Sequence, residues 1–263
     1  MISRLVRWIG LFLLTVNVLY FLNFHSVHEV CPYGGLETLY KFSIYSTSFL
    51  MLLVVVLITL FFRRSFCGLL CPLGALQELF AKLGKSKYLV PQKIDRSIRM
   101  LKYGILFVTL IGALSTKSYW WVNYDPYFAL FTRKFFTAGT LVLSISFIGS
   151  VLSDRFFCKY LCPLGAFIAI IGYFSPSRVV RDDSVCIHCN LCSKVCPVNI
   201  PVAVQLQIKS LECLSCNECV NICPKEGAIA IKSGKITIQP ILVWVLVFLF
   251  FLGGAIIVSR LAL

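Results

Sequence analysis

Long apolar segments separated by shorter polar ones dominate the chain. A helix needs about 20 apolar residues to cross a lipid bilayer. Five segments are long enough, or nearly so, and they are Leu5–Phe24, Phe42–Phe62, Leu101–Ser115, Phe135–Leu152 and Ile241–Val258. They are apolar all round rather than along one stripe, as in helices that have lipid or other helices on every side. The pattern therefore predicts a polytopic α-helical membrane protein in which each of these segments is a transmembrane helix.

Two parts of this apolar region repeat one motif in the same orientation. Cys67-x3-Cys71-Pro-Leu-Gly follows the second segment, and Cys158-x3-Cys162-Pro-Leu-Gly follows the fourth. Two parallel repeats predict a pseudo-two-fold axis along the membrane normal, which brings the Cys-x3-Cys motifs near each other on the inner side. Each motif leads into a short apolar piece. The first piece is expected to lie in the membrane interface, and the second to be re-entrant or packed under the region that follows.

Eight further cysteines lie in the polar region between the fourth and fifth segments. The spacing C-x2-C-x2-C-x3-C-P runs from Cys186 to Pro197 and again from Cys213 to Pro224. This is the run of bacterial two-cluster ferredoxins, in which the fourth cysteine of each run ligates the other cluster. Zinc is disfavoured, because it usually takes two separated C-x2-C pairs. The run implies two [4Fe–4S] clusters, held by Cys186, Cys189, Cys192 and Cys223 and by Cys213, Cys216, Cys219 and Cys196.

The cysteines of the two repeats are candidates for a further centre. A spacing of four places two thiols on one face of a helix end, and the proline that follows biases the second cysteine away from helical geometry. Four converging thiolates suit a third [4Fe–4S] cluster, and a soft ion such as Cu(I) is the alternative. Simple burial of free thiols among packed helices is the remaining interpretation. The candidate residues are Cys67, Cys71, Cys158 and Cys162.

Turn residues and composition divide the chain into three parts. A Ser-Pro-Ser sequence that begins at Ser175 ends the apolar repeats, and Ala228–Ile231 with Lys235–Ile238 is predicted as a small β-hairpin. The predicted units are a membrane domain with two repeats that each end in Cys-x3-Cys-Pro (1–175), a cytoplasmic α+β two-cluster ferredoxin-like domain (176–239) and a C-terminal transmembrane helix (240–263).

Composition and charge agree with a membrane location. Hydrophobic residues make up 59% of the chain, charged residues 14%, and the mean hydropathy is +0.86, whereas about a quarter of the residues in soluble domains are charged. The net charge is +14, and its basic residues concentrate between the second and third segments, which places that loop in the cytoplasm. The N-terminus and the ferredoxin-like region are then cytoplasmic and the C-terminus is outside. The expected location is the cytoplasmic (inner) membrane of a bacterium or archaeon, with no nucleic-acid partner.

Several single residues have open roles. Cys31 is expected in a turn, with a ligand or an attachment point as the alternatives. His25 and His28 are expected at the membrane surface, where a quinone headgroup or a haem is the alternative partner. His188 lies between two cluster cysteines and is expected to tune that cluster by hydrogen bonding. An outer aromatic belt is predicted at Trp120, Trp121, Tyr124 and Tyr127.

The apolar segments, the two Cys-x3-Cys-Pro-Leu-Gly motifs and the double ferredoxin run resemble the NapH/MauN family of ferredoxin-type 4Fe–4S membrane proteins. The membrane parts of NosR and the CcoG-like proteins are relatives of this family. The resemblance covers about residues 1–238. It implies membrane electron transfer, the eight ferredoxin-run cysteines as cluster ligands, and the four repeat cysteines as a membrane-proximal motif. The fifth apolar segment follows the cluster region, where simpler members end, and so departs from the family pattern.

The motifs predict a membrane-bound iron–sulfur protein that relays electrons between a cytoplasmic donor or the quinone pool and a membrane or extracytoplasmic redox partner. No paired acid and base, Ser-His-Asp set or phosphate loop is present in the sequence, so no catalytic residue is assigned. Lys159, Lys194 and Lys209 are expected to attract an acidic ferredoxin or flavoprotein. The alternatives are a membrane oxidoreductase that reduces a metal ion or a quinone at its own site, and a non-catalytic anchor with structural clusters.

Overall fold

The computed structural model of the protein describes residues 35, 47–82, 84, 91–116, 124–126, 138–234 and 236–261. Within these residues the two repeats are helical. Their helices are α1 Thr47–Phe62, α2 Pro72–Ala81, α3 Gln92–Arg99, α4 Leu101–Thr116, α5 Ala138–Leu152, α6 Phe156–Tyr160 and α7 Pro163–Gly172. A π-helical turn, Phe66–Leu70, stands between α1 and α2, as α6 stands between α5 and α7. Each repeat is therefore an apolar helix, a short turn that carries its first cysteine, and a second short helix.

A proline begins the second short helix of each repeat. Pro72 and Pro163 are the first residues of α2 and α7, where a missing N–H costs nothing and the fixed φ suits a helix. The preceding residues, Cys71 and Cys162, have extended backbones with φ/ψ of −64°/113° and −72°/111°, because the proline ring disfavours helical geometry in the residue before it. The predicted departure of both cysteines from the helix is thus confirmed.

The two repeats exchange these second helices. Helix α2 of the first repeat packs against α5 of the second, while α7 of the second packs against α1 and α4. A Cβ added to Gly84, just beyond α2, would lie 2.2 Å from the Val151 carbonyl oxygen, and one added to Gly172 would lie 3.3 Å from the Thr59 methyl group. This reciprocal packing is the arrangement expected of parallel repeats related by a pseudo-two-fold axis.

The predicted apolar segments coincide with helices wherever the structure describes them. By length and composition, one of these helices, Ile94–Ser115 counted through the turn between α3 and α4, could cross a membrane. The other apolar stretches that could be assessed are shorter: Ser48–Phe62, Ala138–Leu152, Pro163–Gly172 and Pro240–Gly254, the last of which is the first part of a 22-residue helix. The predicted segment Leu5–Phe24 lies outside the described residues. Several membrane crossings therefore remain a prediction.

The ferredoxin-like region, residues 176–239, contains a small antiparallel sheet of order β1-β2-β3. Val179 pairs with Ile231, which in turn pairs with Ile238, and alternate residues of β1 and β2 are buried. The predicted hairpin is confirmed as β2–β3, whereas β1 directly follows the predicted boundary at Ser175 and was not predicted. The elements are β1 Ser177–Arg181, α8 Leu191–Lys194, a 3₁₀ turn Val202–Val204, α9 Glu218–Asn221, β2 Ile229–Ser233 and β3 Ile236–Ile238.

The last helix, α10 Pro240–Leu261, packs along α1. Its Val247 and Phe251 are buried, and the Phe251 ring centroid lies 5.5 Å from that of Phe66 in the π-helical turn. A Cβ at Gly254 would lie 2.6 Å from a methyl group of Val54. Helix α10 therefore shares one apolar core with the first repeat.

Two arginines, one buried and one partly buried, join the ferredoxin-like region to the repeats. Arg63 donates from Nη1 to the Ile208 carbonyl oxygen at 2.8 Å and from Nη2 to that of Ser210 at 2.9 Å. Arg99 donates to the Val198 carbonyl oxygen at 2.5 Å. Charge-assisted hydrogen bonds of this kind are stronger than neutral ones, so they fix the orientation of the ferredoxin-like region.

Gly68, in the π-helical turn, marks a close approach of the two regions. A Cβ at this position would lie 2.3 Å from the Leu214 carbonyl oxygen and 3.1 Å from the Cys216 nitrogen. Both atoms belong to the backbone of the second ferredoxin run. Glycine therefore lets the first repeat touch that run directly.

We expect Gly68→Ala to destabilise the folded chain by about 1–3 kcal/mol, the usual cost of overpacking. The obstructing atom is a backbone oxygen that cannot move unless the ferredoxin-like region moves with it. Gly104→Ala on α4 is the matched control, because a Cβ there meets nothing within 4 Å and alanine favours a helix. Thermal unfolding of the purified proteins in detergent measures both effects. Equal unfolding midpoints for the two variants would contradict the close contact.

Candidate functional site

The first group of ferredoxin-run cysteines lines one small cavity. Its thiol residues are Cys186, Cys189, Cys192 and Cys223. Three come from the first run and one from the second, so the runs cross at this point. Cys189 is exposed, as are the neighbouring Ile187 and Leu191. This cavity therefore lies near the protein surface.

The second group lines another cavity, deeper in the molecule. Its thiol residues are Cys196, Cys213, Cys216 and Cys219. Buried Ile208 and Leu214 complete the wall, and burial raises the pKa of the Cys216 thiol to about 12. The structure thus brings together the same two sets of four that the ferredoxin run implies. Their role as iron ligands remains a prediction.

The backbones of both runs wrap around their cavities, and equivalent residues of the two runs adopt the same left-handed conformation. His188 and Asn190 have φ values of 53° and 60°, and Ser215 and Asn217, at the equivalent positions, have values of 49° and 63°. Residues other than glycine rarely adopt this left-handed region, so its repetition indicates a constrained wrapping of the chain. The curl lets backbone N–H groups reach sulfur, and the His188 N–H hydrogen-bonds to Cys186. The hydrogen bond expected from His188 thus comes from its backbone.

The four repeat cysteines form a third group, which we call the four-thiol site: Cys67, Cys71, Cys158 and Cys162. The Cys71 thiol hydrogen-bonds to that of Cys158, and Cys162 interacts electrostatically with Cys67 and Cys158. No three His, Cys, Asp or Glu side chains among the described residues converge on a point that would hold a single metal ion. A cubane does not require such convergence, because each thiolate binds a different iron.

Hydrogen-bond donors from both repeats approach the four-thiol site. The Gly165 N–H donates to the Cys162 sulfur at 3.2 Å, and the Gly74 N–H hydrogen-bonds to the Cys71 sulfur in the equivalent turn. Gln77 of α2 reaches across the repeats and donates from Nε2 to the Cys158 sulfur at 3.6 Å. Donors of this kind stabilise thiolates and the negative charge of a thiolate cluster.

Two arginines occupy equivalent positions, each three residues before the first cysteine of its repeat. Arg155 donates to the Cys67 carbonyl oxygen at 2.6 Å and to the Gly68 carbonyl oxygen at 3.0 Å. Its Nη1 lies 3.5 Å from the position of a Cβ on Gly74. Arg155 of the second repeat thus fills the Cys-Pro-Leu-Gly turn of the first.

Arg64 makes the reciprocal contact. Its Nη2 lies 3.0 Å from the position of a Cβ on Gly165, in the second repeat's turn. Nε and Nη2 of Arg64 are buried without a well-formed hydrogen bond to nitrogen or oxygen, although Nη1 lies 3.4 Å from the Glu212 carboxylate and the side chain hydrogen-bonds to Cys67. The positive charge of Arg64 therefore lies beside the thiols.

The same charges act on the thiols. A hydrogen bond from Cys71, assisted by the charges of Arg155 and Arg64, lowers the pKa of the Cys158 thiol. Burial raises the pKa of the Cys67 thiol. Of these two thiols, Cys158 is therefore the more readily deprotonated, and a thiolate is the form that binds metal.

Several of these groups were not predicted from the sequence. Arg64 lies in the basic stretch after the second apolar segment, and an arginine three residues before the first cysteine recurs in both repeats. Gln77 has no such signal, since Ile168 stands at the equivalent position of the second repeat. The steering role expected of Lys159 is wrong, because this residue is 3% exposed and forms an ion pair with Asp95 at 2.8 Å.

The structure describes three of the remaining predicted residues. Lys194 and Lys209 are exposed, as a steering role requires, and Tyr124 is 42% exposed. Outside the described residues lie Cys31, His25, His28, Trp120, Trp121 and Tyr127.

Comparison with protein families matches the chain to two models. A 4Fe-4S binding domain matches twice, at residues 46–91 and 135–181. A 4Fe-4S dicluster domain matches residues 178–225. The two matches of the first model fall on the two repeats, and the second covers both ferredoxin runs. No solved structure matches the chain.

Curated relatives agree with these matches. The ferredoxin-type protein NapH of Haemophilus influenzae is 32% identical over 56% of this chain and 54% of its own length. The methylamine utilization ferredoxin-type protein MauN of Methylobacillus flagellatus is 28% identical over 68% of this chain and 65% of its own length. Uncharacterized protein MJ0750 of Methanocaldococcus jannaschii is 31% identical over 60% of this chain and 68% of its own length. The chain spans about half the length of several curated relatives.

The paired cysteine runs and these matches define a ferredoxin-type protein with 4Fe–4S binding domains. The chain belongs to the NapH/MauN family of ferredoxin-type proteins.

The donor groups fit the cofactor that this class implies. Each ferredoxin-type cavity presents four thiols, the number that holds one cubane, and a backbone N–H reaches sulfur in each, as from Ile200 to Cys196 at 3.4 Å. The four-thiol site presents the same number, together with the buried guanidinium of Arg64, which hydrogen-bonds to Cys67. All three groups are therefore suitable for [4Fe–4S] clusters.

The crossing of the two runs can be tested by serine substitutions. We expect Cys223→Ser to alter the EPR signal that Cys189→Ser alters, because both residues line the first cavity. Cys216→Ser should alter the other ferredoxin-type signal. The measurement is EPR of the dithionite-reduced protein, with iron content as the control for cluster loss. If Cys223→Ser changed the signal that Cys216→Ser changes, the chain would not cross.

Proposed function

We propose that the protein is a membrane-bound iron–sulfur relay. It passes electrons between a cytoplasmic donor or the quinone pool and a redox partner in the membrane or outside it. One observation carries the proposal: the family model for a 4Fe-4S binding domain matches both repeats, yet each matched segment contains only two cysteines. A cubane is held by four thiolates. We therefore infer that the two repeats share one cluster.

The contacts of the four-thiol site support this sharing. The Cys71 and Cys158 thiols interact across the repeats, and Gln77 of the first repeat donates to Cys158 of the second. The residues proposed as ligands of the third cluster are Cys67, Cys71, Cys158 and Cys162. Those proposed for the first are Cys186, Cys189, Cys192 and Cys223, and those for the second are Cys196, Cys213, Cys216 and Cys219.

The three groups form a series. The first cavity is near the surface, where Cys189 is exposed. The second adjoins the four-thiol site, because Gly68 meets the backbone of Leu214 and Cys216 and the charge of Arg155 acts on Cys216. When bound, the clusters supply one-electron redox chemistry. The residues of the chain hold the centres close together, exclude water from the inner two and adjust their charge.

The proposed location is the cytoplasmic membrane of a bacterium or archaeon. The repeats and α10 are the membrane-embedded parts, and the ferredoxin-like region faces the cytoplasm. The basic loop before α4 supports this orientation, as does the reducing environment that cluster thiols require. The exposed Lys194 and Lys209 suit an acidic cytoplasmic partner.

A cleft favours a second candidate function. It measures about 920 Å³ between α3–α4 and the ferredoxin-like region, and it is lined by Arg96, Arg99, Tyr103, Lys209 and Glu212 among others. Glu212 directly precedes Cys213, so a ligand here would adjoin the second cysteine set. The second function is an oxidoreductase that reduces a quinone or a metal ion at its own site. Turnover of a quinone by the purified chain alone would favour it over the relay.

The relay can be tested at the four-thiol site. We expect Cys67→Ser and Cys158→Ser to retain both ferredoxin-type EPR signals but to stop electron transfer across the membrane, because only the shared cluster loses a ligand. Transfer is measured in proteoliposomes, with a reductant on the side of the ferredoxin-like region and an impermeant acceptor on the other. Cys31→Ser is the matched thiol control and should transfer normally. Unchanged transfer in the Cys67 and Cys158 variants would refute the relay through this site.

A further inference from the structure

Gln77 is a buried polar side chain whose orientation is determined by its neighbours. It is 0% exposed. Its Oε1 accepts from the Phe157 N–H at 2.9 Å. The Ser150 hydroxyl lies 3.3 Å from Oε1 but also donates to the Ser146 carbonyl oxygen at 2.6 Å. Since the Phe157 N–H can only donate, the amide oxygen must face it and the NH₂ group must face Cys158. Gln77 is therefore held as a donor to the Cys158 sulfur.

Three cations and two carboxylates near the four-thiol site leave an excess of one positive charge among these five groups. Arg155 pairs with Glu78 at 2.7 Å. Arg64 and Lys102 share one carboxylate, that of Glu212. The three cations are almost fully buried, as their relative exposures of 0–1% indicate. Solvent therefore screens them little, and their charge acts at close range on the thiols.

Hydrogen-bond donors and nearby positive charges affect the reduction of a thiolate cluster in the same direction. A cubane with four thiolates is an anion, and each added electron makes it more negative. Donors to sulfur and nearby cations favour the more negative form. Burial acts in the opposite direction, because a low dielectric disfavours added charge. Without compensation, the buried four-thiol site would be difficult to reduce.

We propose that Gln77 and Arg64 are positioning residues that make a cluster in the four-thiol site easier to reduce. The inference rests on the proposed function, since it requires a cluster at this site. Gln77 acts through the Cys158 sulfur, and Arg64 through its charge and its hydrogen bond beside Cys67 and Cys162. The step concerned is the addition of one electron, with no bond made or broken. In the cell, a one-electron carrier protein supplies that electron through the ferredoxin-like region.

The two repeats differ at the position of Gln77, and this difference provides a matched control for the Gln77 variants. The position equivalent to Gln77 in the second repeat is Ile168, six residues after Cys162, and it is also 0% exposed. Ile168→Leu conserves volume and changes no polar group. The Ile168→Leu variant therefore measures the effect of disturbed core packing without the loss of a hydrogen bond to sulfur.

The test is a potentiometric titration of the purified full chain with dithionite, followed by EPR. We expect Gln77→Leu to lower the ratio of reduced to oxidised four-thiol signal about tenfold at a fixed ambient potential, which equals 59 mV for a one-electron couple. Gln77→Glu keeps an acceptor for the Phe157 N–H but places a carboxylate at the sulfur, so it should lower the ratio further. Arg64→Gln should act in the same direction. Ile168→Leu should leave the ratio unchanged.

The possible outcomes distinguish a failure of this inference from a failure of the proposed relay. If the wild-type protein has no third EPR signal, the shared cluster and the inference both fail. If the third signal is present and the iron content of the variants is normal, but the Gln77 variants titrate like the wild type, the inference alone is overturned. A normal iron content also excludes misfolding of Gln77→Leu as the cause of a shift. The two ferredoxin-type signals serve as internal references in every sample.

Discussion

The structure depends on two buried arginines that each enter the other repeat. Arg155 fills the turn at Gly74, and Arg64 fills the turn at Gly165. A buried guanidinium is costly unless its hydrogen bonds and charge are compensated. Arg155 obtains this compensation from two backbone carbonyls and Glu78, all in the first repeat. Separating the repeats would leave it unpaired, so the same contacts that lock the repeats also hold the four thiols together.

The ferredoxin-like region extends this centre toward the surface. Its inner cysteine set touches the first repeat at Gly68, and its outer set reaches solvent at Cys189. Electron transfer falls steeply with distance, so backbone contact between neighbouring groups is what a relay requires. The arginines have a further effect here, because the charge of Arg155 reaches both the four-thiol site and Cys216. The Arg155 side chain thus contributes to the packing of the repeats, to the charge around the four-thiol site and to the charge around the neighbouring cysteine set.

Local rules account for what the sequence could predict. Thiol spacing, the proline after each Cys-x3-Cys and the hairpin around Ser233-Gly234 act over a few residues, and the structure agrees with all three. Gln77 and the exchange of α2 and α7 depend on contacts between distant segments, which no local pattern encodes. Strand β1 is too short to be distinguished from a linker. Lys159 was misjudged because its partner, Asp95, lies on a different helix.

Iron and acid-labile sulfide content tests the central claim most directly. The chain is purified anaerobically and its iron is counted per polypeptide. Three clusters, one of them shared between the repeats, predict about twelve irons and as many sulfides, at four of each per cubane. About eight irons in the folded, active protein would contradict the account, because the four-thiol site would then hold no cluster.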